Sequence, residues 1–84
     1  VLLKTSNSAY GSNDSFDYSY VYLDPSGAQF LAEKKVKAVG LDYLSIERSH
    51  PEHPTHMTLF HHDIVVIEGL RLAHVPAGEY LFVC

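Results

Sequence analysis

The feature that most constrains the fold of this chain is a run of four β-branched residues, Ile64 to Ile67. An unbroken apolar run of this kind is typical of a strand that is covered on both faces. A second apolar run, Val36 to Leu41, directly follows a segment with the pattern of a helix of about ten residues. A helix that leads at once into such a strand predicts an α/β protein in which the helix covers one face of a sheet.

Signals for turns and helix ends predict the remaining elements. Asp24 and Pro25 begin the helix, with Asp24 as the capping residue and Pro25 at the first helical position, where a missing N–H costs nothing. The apolar stripe of this helix is Ala28, Leu31 and Ala32, and the helix ends near Lys34 and Lys35. The sequence also predicts strands at Val1–Leu3 and Glu79–Val83, one or two helical turns at His56–His61, and polar loops at Ser6–Ser15 and Ser49–Pro54.

Composition and charge limit the classes of partner. A chain of 84 residues makes one small domain, which buries roughly 60 to 65% of the surface that its unfolded chain exposes. A hydrophobic fraction of 46% is typical of a globular protein, and a formal net charge of -4 offers no basic surface for nucleic acid. No apolar run approaches the roughly 20 residues that a membrane helix needs. We therefore expect neither nucleic acid nor a membrane as a partner.

The cysteine content and the two ends of the chain suggest a compartment and a context. Cys84 is the single cysteine, so an intrachain disulfide is excluded and the cytoplasm is the predicted location. The chain begins without methionine and ends on the apolar residues 81 to 84. We expect both ends to be cut from a longer protein. The strands at Val1–Leu3 and Leu81–Val83 have no obvious partner in the chain, which predicts docking to a missing segment or to a second copy.

Histidines are frequent in the second half of the chain, but their spacing alone is a weak indication of a metal. His50 and His53 are flanked by prolines that oppose a regular helix, and we interpret them as residues of a solvated loop. The trio His61-His62-Asp63 is more typical of the last turn of a helix. Glu68 is different, because a carboxylate that closes an apolar strand must be paired, bound to a metal or solvated at the strand end. The residues leave those three possibilities open.

Four segments, in this order, resemble the carboxyl-terminal part of the metal-dependent cyclase family, also called the bacterial kynurenine formamidase-like family. They are VLLKTSNS at the start, VKAVGLDYLSIE, HxxLFxxxIVVIEGL and VPAGEYLFVC, and together they cover nearly all of the chain. The resemblance implies a domain of the swivelling β/β/α type, with a mixed sheet and one main helix. It further implies a dinuclear zinc or manganese site that hydrolyses amides such as N-formylkynurenine.

The resemblance also implies two metal ligands in this chain. A histidine twelve positions before a glutamate completes the metal site of the family, and those positions are His56 and Glu68 here. Imidazole nitrogen and carboxylate oxygen suit zinc or manganese. The other motif of the family, HxGTHxDxPxH, supplies most of the ligands and the acid/base histidine, and it is absent from this sequence. We therefore expect residues 1–84 to be the carboxyl-terminal part of one cyclase-like domain, without a catalytic residue of their own and inactive alone.

A different class of function stays open beside the enzyme. An α/β layer without the ligand cluster would serve as a non-catalytic oligomerisation or interaction module, pairing through its apolar ends. The enzyme hypothesis predicts a small-molecule amide as substrate, and both hypotheses predict a homo-oligomer or a domain docked to the missing segment.

Overall fold

The structure is a computed structural model, and it describes residues 1–9, 19–48 and 51–83. Its elements in chain order are strand β1 (Leu2–Leu3), a 3-10 turn (Ser6–Ala9), helix α1 (Pro25–Glu33), strand β2 (Ala38–Leu41), helix α2 (Pro54–His61) and strand β3 (Val65–Ile67). The predicted α/β fold class is confirmed. Predictions for His50, for Cys84 and for loop residues 10–15 lie outside the described residues.

The three described strands form one parallel sheet in the order β1-β2-β3. In the register of the sheet, Leu3 lies beside Leu41, and Gly40 lies between Leu2 and Ile67. A parallel neighbour requires a crossover that returns the chain to the same end of the sheet, and α1 and α2 supply the two crossovers. The described strands therefore run in one direction where a mixed sheet was predicted. Two helices of similar length take the place of one main helix.

Helix α1 forms as the sequence predicts. The Asp24 side chain accepts a hydrogen bond from the Gly27 N–H at 2.8 Å, and Pro25 occupies the first helical position. The apolar stripe Ala28, Leu31 and Ala32 is buried. This helix packs against α2, so both helices belong to the layer that covers one face of the sheet.

The core lies between this helical layer and the central strand, β2. Val39 and Leu41, two positions apart on β2, are buried against residues of both helices. Gly40 points to the opposite face, where a Cβ atom would lie 2.5 Å from Leu70 Cδ1 and 2.8 Å from Leu2 Cδ2. The chain therefore closes over β2 on both faces, and a side chain at position 40 would displace one of those leucines.

Predictions for three apolar segments are wrong in part, because the pairing of a strand depends on residues far away in sequence. The β-branched run lies at an edge of the described sheet, and its Val65 is 60% exposed. The segment Glu79–Val83 forms no strand. By contrast, Val1–Leu3 has a partner within the chain, since the Gly40 N–H donates to the Val1 carbonyl and β1 pairs with β2.

The first part of the predicted loop at Ser6–Ser15 is ordered by its own side chains. Asn7 is buried, its amide nitrogen donates to the Val21 carbonyl at 2.7 Å and its amide oxygen accepts from the Val21 N–H at 2.8 Å.

Among the residues that the structure describes, neither helix has the length and apolar character that a membrane crossing requires.

Candidate metal centre

The carboxyl ends of β2 and β3 meet at one edge of the sheet, beside the first turn of α2. Parallel strands collect the residues that follow them at the same edge, which is where α/β proteins hold ligands. Glu68 follows β3 directly. Glu47 lies on the connection from β2 to α2, and His56 lies in the first turn of α2. These three side chains form the candidate site.

His56 and Glu68, the two ligands implied by the resemblance, lie side by side. His56 Nε2 is 3.1 Å from Glu68 Oε2. The Ile46 N–H donates to the same Glu68 oxygen at 2.7 Å, so the carboxylate has a fixed orientation. The two side chains keep 20% and 32% of their surface exposed, respectively. Their contact is a finding of the structure, whereas their role as metal ligands stays a prediction.

Glu47 is a site residue that the sequence analysis did not single out. Its side chain is 5% exposed, and its Oε1 lies 2.6 Å from His56 Nδ1. The same carboxylate accepts the Thr55 N–H at 2.6 Å and the His56 N–H at 3.3 Å. Free N–H groups at a helix start need acceptors, and a carboxylate is also favoured there by the helix dipole. Glu47 therefore caps α2 from a distant part of the chain.

A signal for this cap exists in the sequence, although it is indirect. Helix α2 begins at Pro54 after His53, which makes no side-chain capping bond. Histidine is not among the residues that usually cap a helix. A helix with a poor local cap must find its acceptor elsewhere. Nothing local to Glu47, between Ile46 and Arg48, indicates that it is the acceptor.

His53 agrees with its predicted exposure but lies closer to the site than a solvated loop implies. Its side chain is 64% exposed, and its Nδ1 is 3.8 Å from Glu47 Oε1. Its backbone adopts the left-handed conformation, with φ of 48°. Glu47, His53 and His56 each offer one ligand atom within 4.8 Å of the others. This trio is a second donor set beside the pair His56 and Glu68.

The two histidines after α2 lie where the sequence predicts. His61 is in the last turn of the helix and His62 is its C-cap, with Nδ1 2.8 Å from the Thr58 carbonyl oxygen. The interpretation of these residues as a helix end is confirmed.

Electrostatics couple the members of the site. Burial lowers the pKa of His56, but the hydrogen bonds to Glu47 and Glu68 outweigh it and raise that pKa above the usual histidine value. Burial raises the pKa of Glu47, but the bonds from the His56 ring and from the Thr55 and His56 N–H groups lower it further than that. The two carboxylates favour positive charge between them, either as a protonated imidazole or as a metal bound to one ring nitrogen.

Comparisons with known proteins agree on one family. The family model described as "Putative cyclase" matches residues 1–48. Cyclase-like protein 3 of Oryza sativa subsp. japonica is 39% identical over 71 residues, which are 82% of this chain and 26% of that protein. Kynurenine formamidase of Bacillus cereus is 33% identical over 81 residues, which are 95% of this chain and 38% of that enzyme.

Solved structures give the same result. A "potential metal-dependent hydrolase with cyclase activity" is 44% identical, with a TM-score of 0.81 over 89% of this chain and 36% of that one. A "predicted metal-dependent hydrolase" from Bacillus stearothermophilus is also 44% identical, with a TM-score of 0.83 over 92% of this chain and 36% of that one. The chain thus spans between 26% and 38% of the length of these relatives and structures.

Proposed function

The chain belongs to the cyclase family, as its sequence resemblance predicted, and from this premise we propose that it is part of a longer metal-dependent hydrolase of amide bonds. The observation that carries the proposal is the convergence of His56 Nε2 and Glu68 Oε2 at 3.1 Å, at the carboxyl edge of a parallel sheet. The relatives named as kynurenine formamidases and metal-dependent hydrolases support the same class of reaction.

The residues present fit a divalent metal. Imidazole nitrogen with carboxylate oxygen is a donor set that suits zinc and manganese. Catalytic zinc sites usually have three protein ligands, so His56 and Glu68 need a further ligand. In the proposal that ligand, and the second metal of a dinuclear site, come with the motif HxGTHxDxPxH in the rest of the longer protein.

The residues of this chain have a positioning role in the proposed reaction. A bound divalent metal would supply Lewis acidity for activating water near neutral pH and for polarising the scissile carbonyl. His56 and Glu68 would hold the metal at the edge of the sheet, and the Ile46 N–H keeps the Glu68 carboxylate turned toward His56. The proton for the leaving amine comes from a histidine of the absent motif. The 84 residues alone are accordingly inactive.

The proposed function extends to a substrate, a compartment and an assembly state. The substrate class is a small amide, with N-formylkynurenine as the first candidate because several relatives are named kynurenine formamidase. The lone Cys84 supports a reducing, cytoplasmic compartment. A homo-oligomer is proposed because exposed apolar side chains such as Leu81 and Val83, 93% and 86% exposed, favour burial in a neighbour.

Metal content tests the proposal most directly. Zinc and manganese are measured in the purified longer protein and in residues 1–84 alone, together with hydrolysis of N-formylkynurenine. We expect stoichiometric metal and amidase activity in the longer protein and little of either in the short form. A longer protein that is folded and free of both metals, even after incubation with each, contradicts the proposed function.

A non-catalytic interaction module is the second candidate, favoured by the exposed apolar segment at residues 80–83. This candidate predicts little metal in both forms. Solution mass and thermal unfolding of residues 1–84 test the association that both candidates expect. A monomer with a sharp unfolding transition would show that this segment needs no partner.

A further inference from the structure

We propose that Glu47 is a positioning residue that holds the His56 ring with its proton on Nδ1, so that the Nε2 lone pair points to a metal shared with Glu68. The inference rests on the proposed function, because it assumes a metal at His56 and Glu68. It adds a residue that neither the family resemblance nor the comparisons assign. It also specifies which nitrogen of His56 is the ligand.

The orientation of the Glu47 carboxylate does not depend on the His56 ring. The Thr55 N–H at 2.6 Å and the His56 N–H at 3.3 Å hold it against the start of α2. Its own backbone is held as well, because the Ser45 hydroxyl donates to the Glu47 carbonyl at 2.9 Å and the Tyr20 hydroxyl donates to the same oxygen. A carboxylate fixed in this way presents one oxygen to the ring in a constant direction.

The distances on the two sides of the His56 ring distinguish a direct hydrogen bond from a pair of metal ligands. Ligand bonds of about 2.1 Å in tetrahedral geometry separate two ligand atoms by roughly 3.4 Å. Glu47 Oε1 and His56 Nδ1 are 2.6 Å apart, which is a short hydrogen bond and too close for two ligands of one metal. His56 Nε2 and Glu68 Oε2, 3.1 Å apart, are within hydrogen-bond distance, and a shift of about 0.3 Å would give the separation of two ligands. The distances therefore exclude a shared metal on the Nδ1 side and are compatible with one on the Nε2 side.

The two sides of the His56 ring also differ in exposure to solvent. Glu47 is almost fully buried, whereas Glu68 on the other side of the ring keeps 32% of its side chain exposed. A metal and its substrate need an approach from solvent, and the Glu68 side offers one. The buried side suits the supporting carboxylate. A carboxylate that accepts the second N–H of a ligand histidine fixes its tautomer and raises its basicity, and its loss typically costs about 10- to 100-fold in metal affinity.

The test is Glu47→Gln in the longer protein, with Glu33→Gln as the matched control. In Glu47 one carboxylate oxygen accepts the Thr55 N–H and the other faces the His56 ring, whereas glutamine has an acceptor oxygen at only one of these two positions. Glu33 is exposed at the end of α1, outside the candidate site, and its substitution removes the same charge. We expect the dissociation constant for zinc to rise about 10- to 100-fold in Glu47→Gln and to stay unchanged in Glu33→Gln. Unchanged zinc affinity in a folded Glu47→Gln variant overturns the inference.

A double-mutant comparison separates positioning from a general loss of structure. If Glu47 acts through His56, Glu47→Gln weakens zinc binding in the wild type but adds nothing in a His56→Ala background. An equal loss in both backgrounds indicates a structural effect and overturns the inference. If His56→Ala itself leaves zinc binding unchanged, the proposed function fails instead.

If Glu47→Gln does not fold, the protonation of the His56 ring can be measured in the unmodified longer protein. Nitrogen NMR of the zinc-loaded longer protein reports the state of each His56 ring nitrogen. We expect a protonated Nδ1 and a metal-bound Nε2. A metal-bound Nδ1 overturns the inference and favours the donor set of Glu47, His53 and His56.

Discussion

Asp42 and Glu47 are both buried carboxylates on the connection that follows β2. They differ in the kind of group that donates hydrogen bonds to them. Asp42 is 4% exposed and accepts the Thr5 N–H at 2.7 Å, the Thr5 hydroxyl at 2.8 Å and the Ser8 hydroxyl. All of these donors belong to the segment after β1. Glu47 is buried to the same degree, but one of its donors is the imidazole of His56, whose second nitrogen faces Glu68.

Burial of a carboxylate therefore does not by itself indicate a functional site. The three donors of Asp42 connect the segment after β1 to the segment after β2, and none of them is a potential metal ligand such as a histidine. Glu47 joins backbone in the same way at α2, and it also orients the His56 ring, whose second nitrogen faces Glu68 at a partly exposed edge. The first carboxylate is expected to matter for stability, and the second for the metal.

The largest expected effect is a loss of zinc affinity when either of the two proposed metal ligands, His56 or Glu68, is replaced. His56→Ala and Glu68→Ala in the longer protein should each lower zinc affinity by more than about 100-fold, beyond the range for a supporting residue, and remove most amidase activity. Both side chains are partly exposed, so the fold should largely persist. Metal analysis, activity and circular dichroism measure these outcomes. His62→Ala, at the far end of α2, is the control. Unchanged metal content in both variants would contradict the assignment.

The second-largest expected effect is a lower free energy of unfolding when Asp42 is replaced. Asp42→Asn replaces a charged acceptor by an amide, and a buried donor that loses a charged acceptor costs about 2 to 3 kcal/mol. We expect the free energy of unfolding of the metal-free longer protein, measured in urea, to fall by about that amount. Zinc affinity of the folded variant should equal that of the wild type. If Asp42→Asn lowered zinc affinity as much as Glu47→Gln does, the proposed difference between the two carboxylates would be wrong.

The contribution of the Asp42 carboxylate to stability should also appear as a dependence of the unfolding free energy on pH. Burial raises the pKa of Asp42, but the bonds from Ser8 and Thr5 lower it further, to below its usual value. A carboxyl with a lowered folded pKa stabilises the protein above its unfolded pKa of about 3.9. That stabilisation is lost as the pH falls through the folded value. Unfolding free energies between about pH 2 and 6 should therefore depend on pH less steeply in Asp42→Asn than in the wild type. Ser8→Ala, which removes one donor, should be intermediate, and equal slopes in all three would refute the account.

Local signals in the sequence were sufficient where a structure is decided by neighbouring residues. Asp24 and Pro25 define the start of α1 by capping chemistry alone. The contact of His56 with Glu68 was expected from the family resemblance, and it needed only a helix start and a strand end to meet. These parts of the fold and site depend on short stretches of chain or on a known motif.

Distant pairing set the limit of the sequence predictions. The residues Ile64 to Ile67 indicate a strand, but the edge position of β3 depends on which other strands pair with it. Glu79–Val83 has the composition of a strand and pairs with no described strand. Glu47 was missed for the same reason, because its burial results from α2 folding back over it. Each case requires a contact that no local pattern encodes.

The smallest expected effect is at His53, and it separates the two donor sets. Its side chain is 64% exposed and 3.8 Å from Glu47, too far for a hydrogen bond. If the metal lies at Nε2 of His56, His53→Ala should change zinc affinity by less than about threefold, a free-energy change below 1 kcal/mol. The same result is predicted for His50→Ala from its flanking prolines, although His50 lies outside the described residues. Titration of zinc into both variants, with His56→Ala beside them, decides the matter. A loss in His53→Ala as large as in His56→Ala would move the metal to the Glu47 side of the ring, and Glu47 would then be a ligand instead of its support.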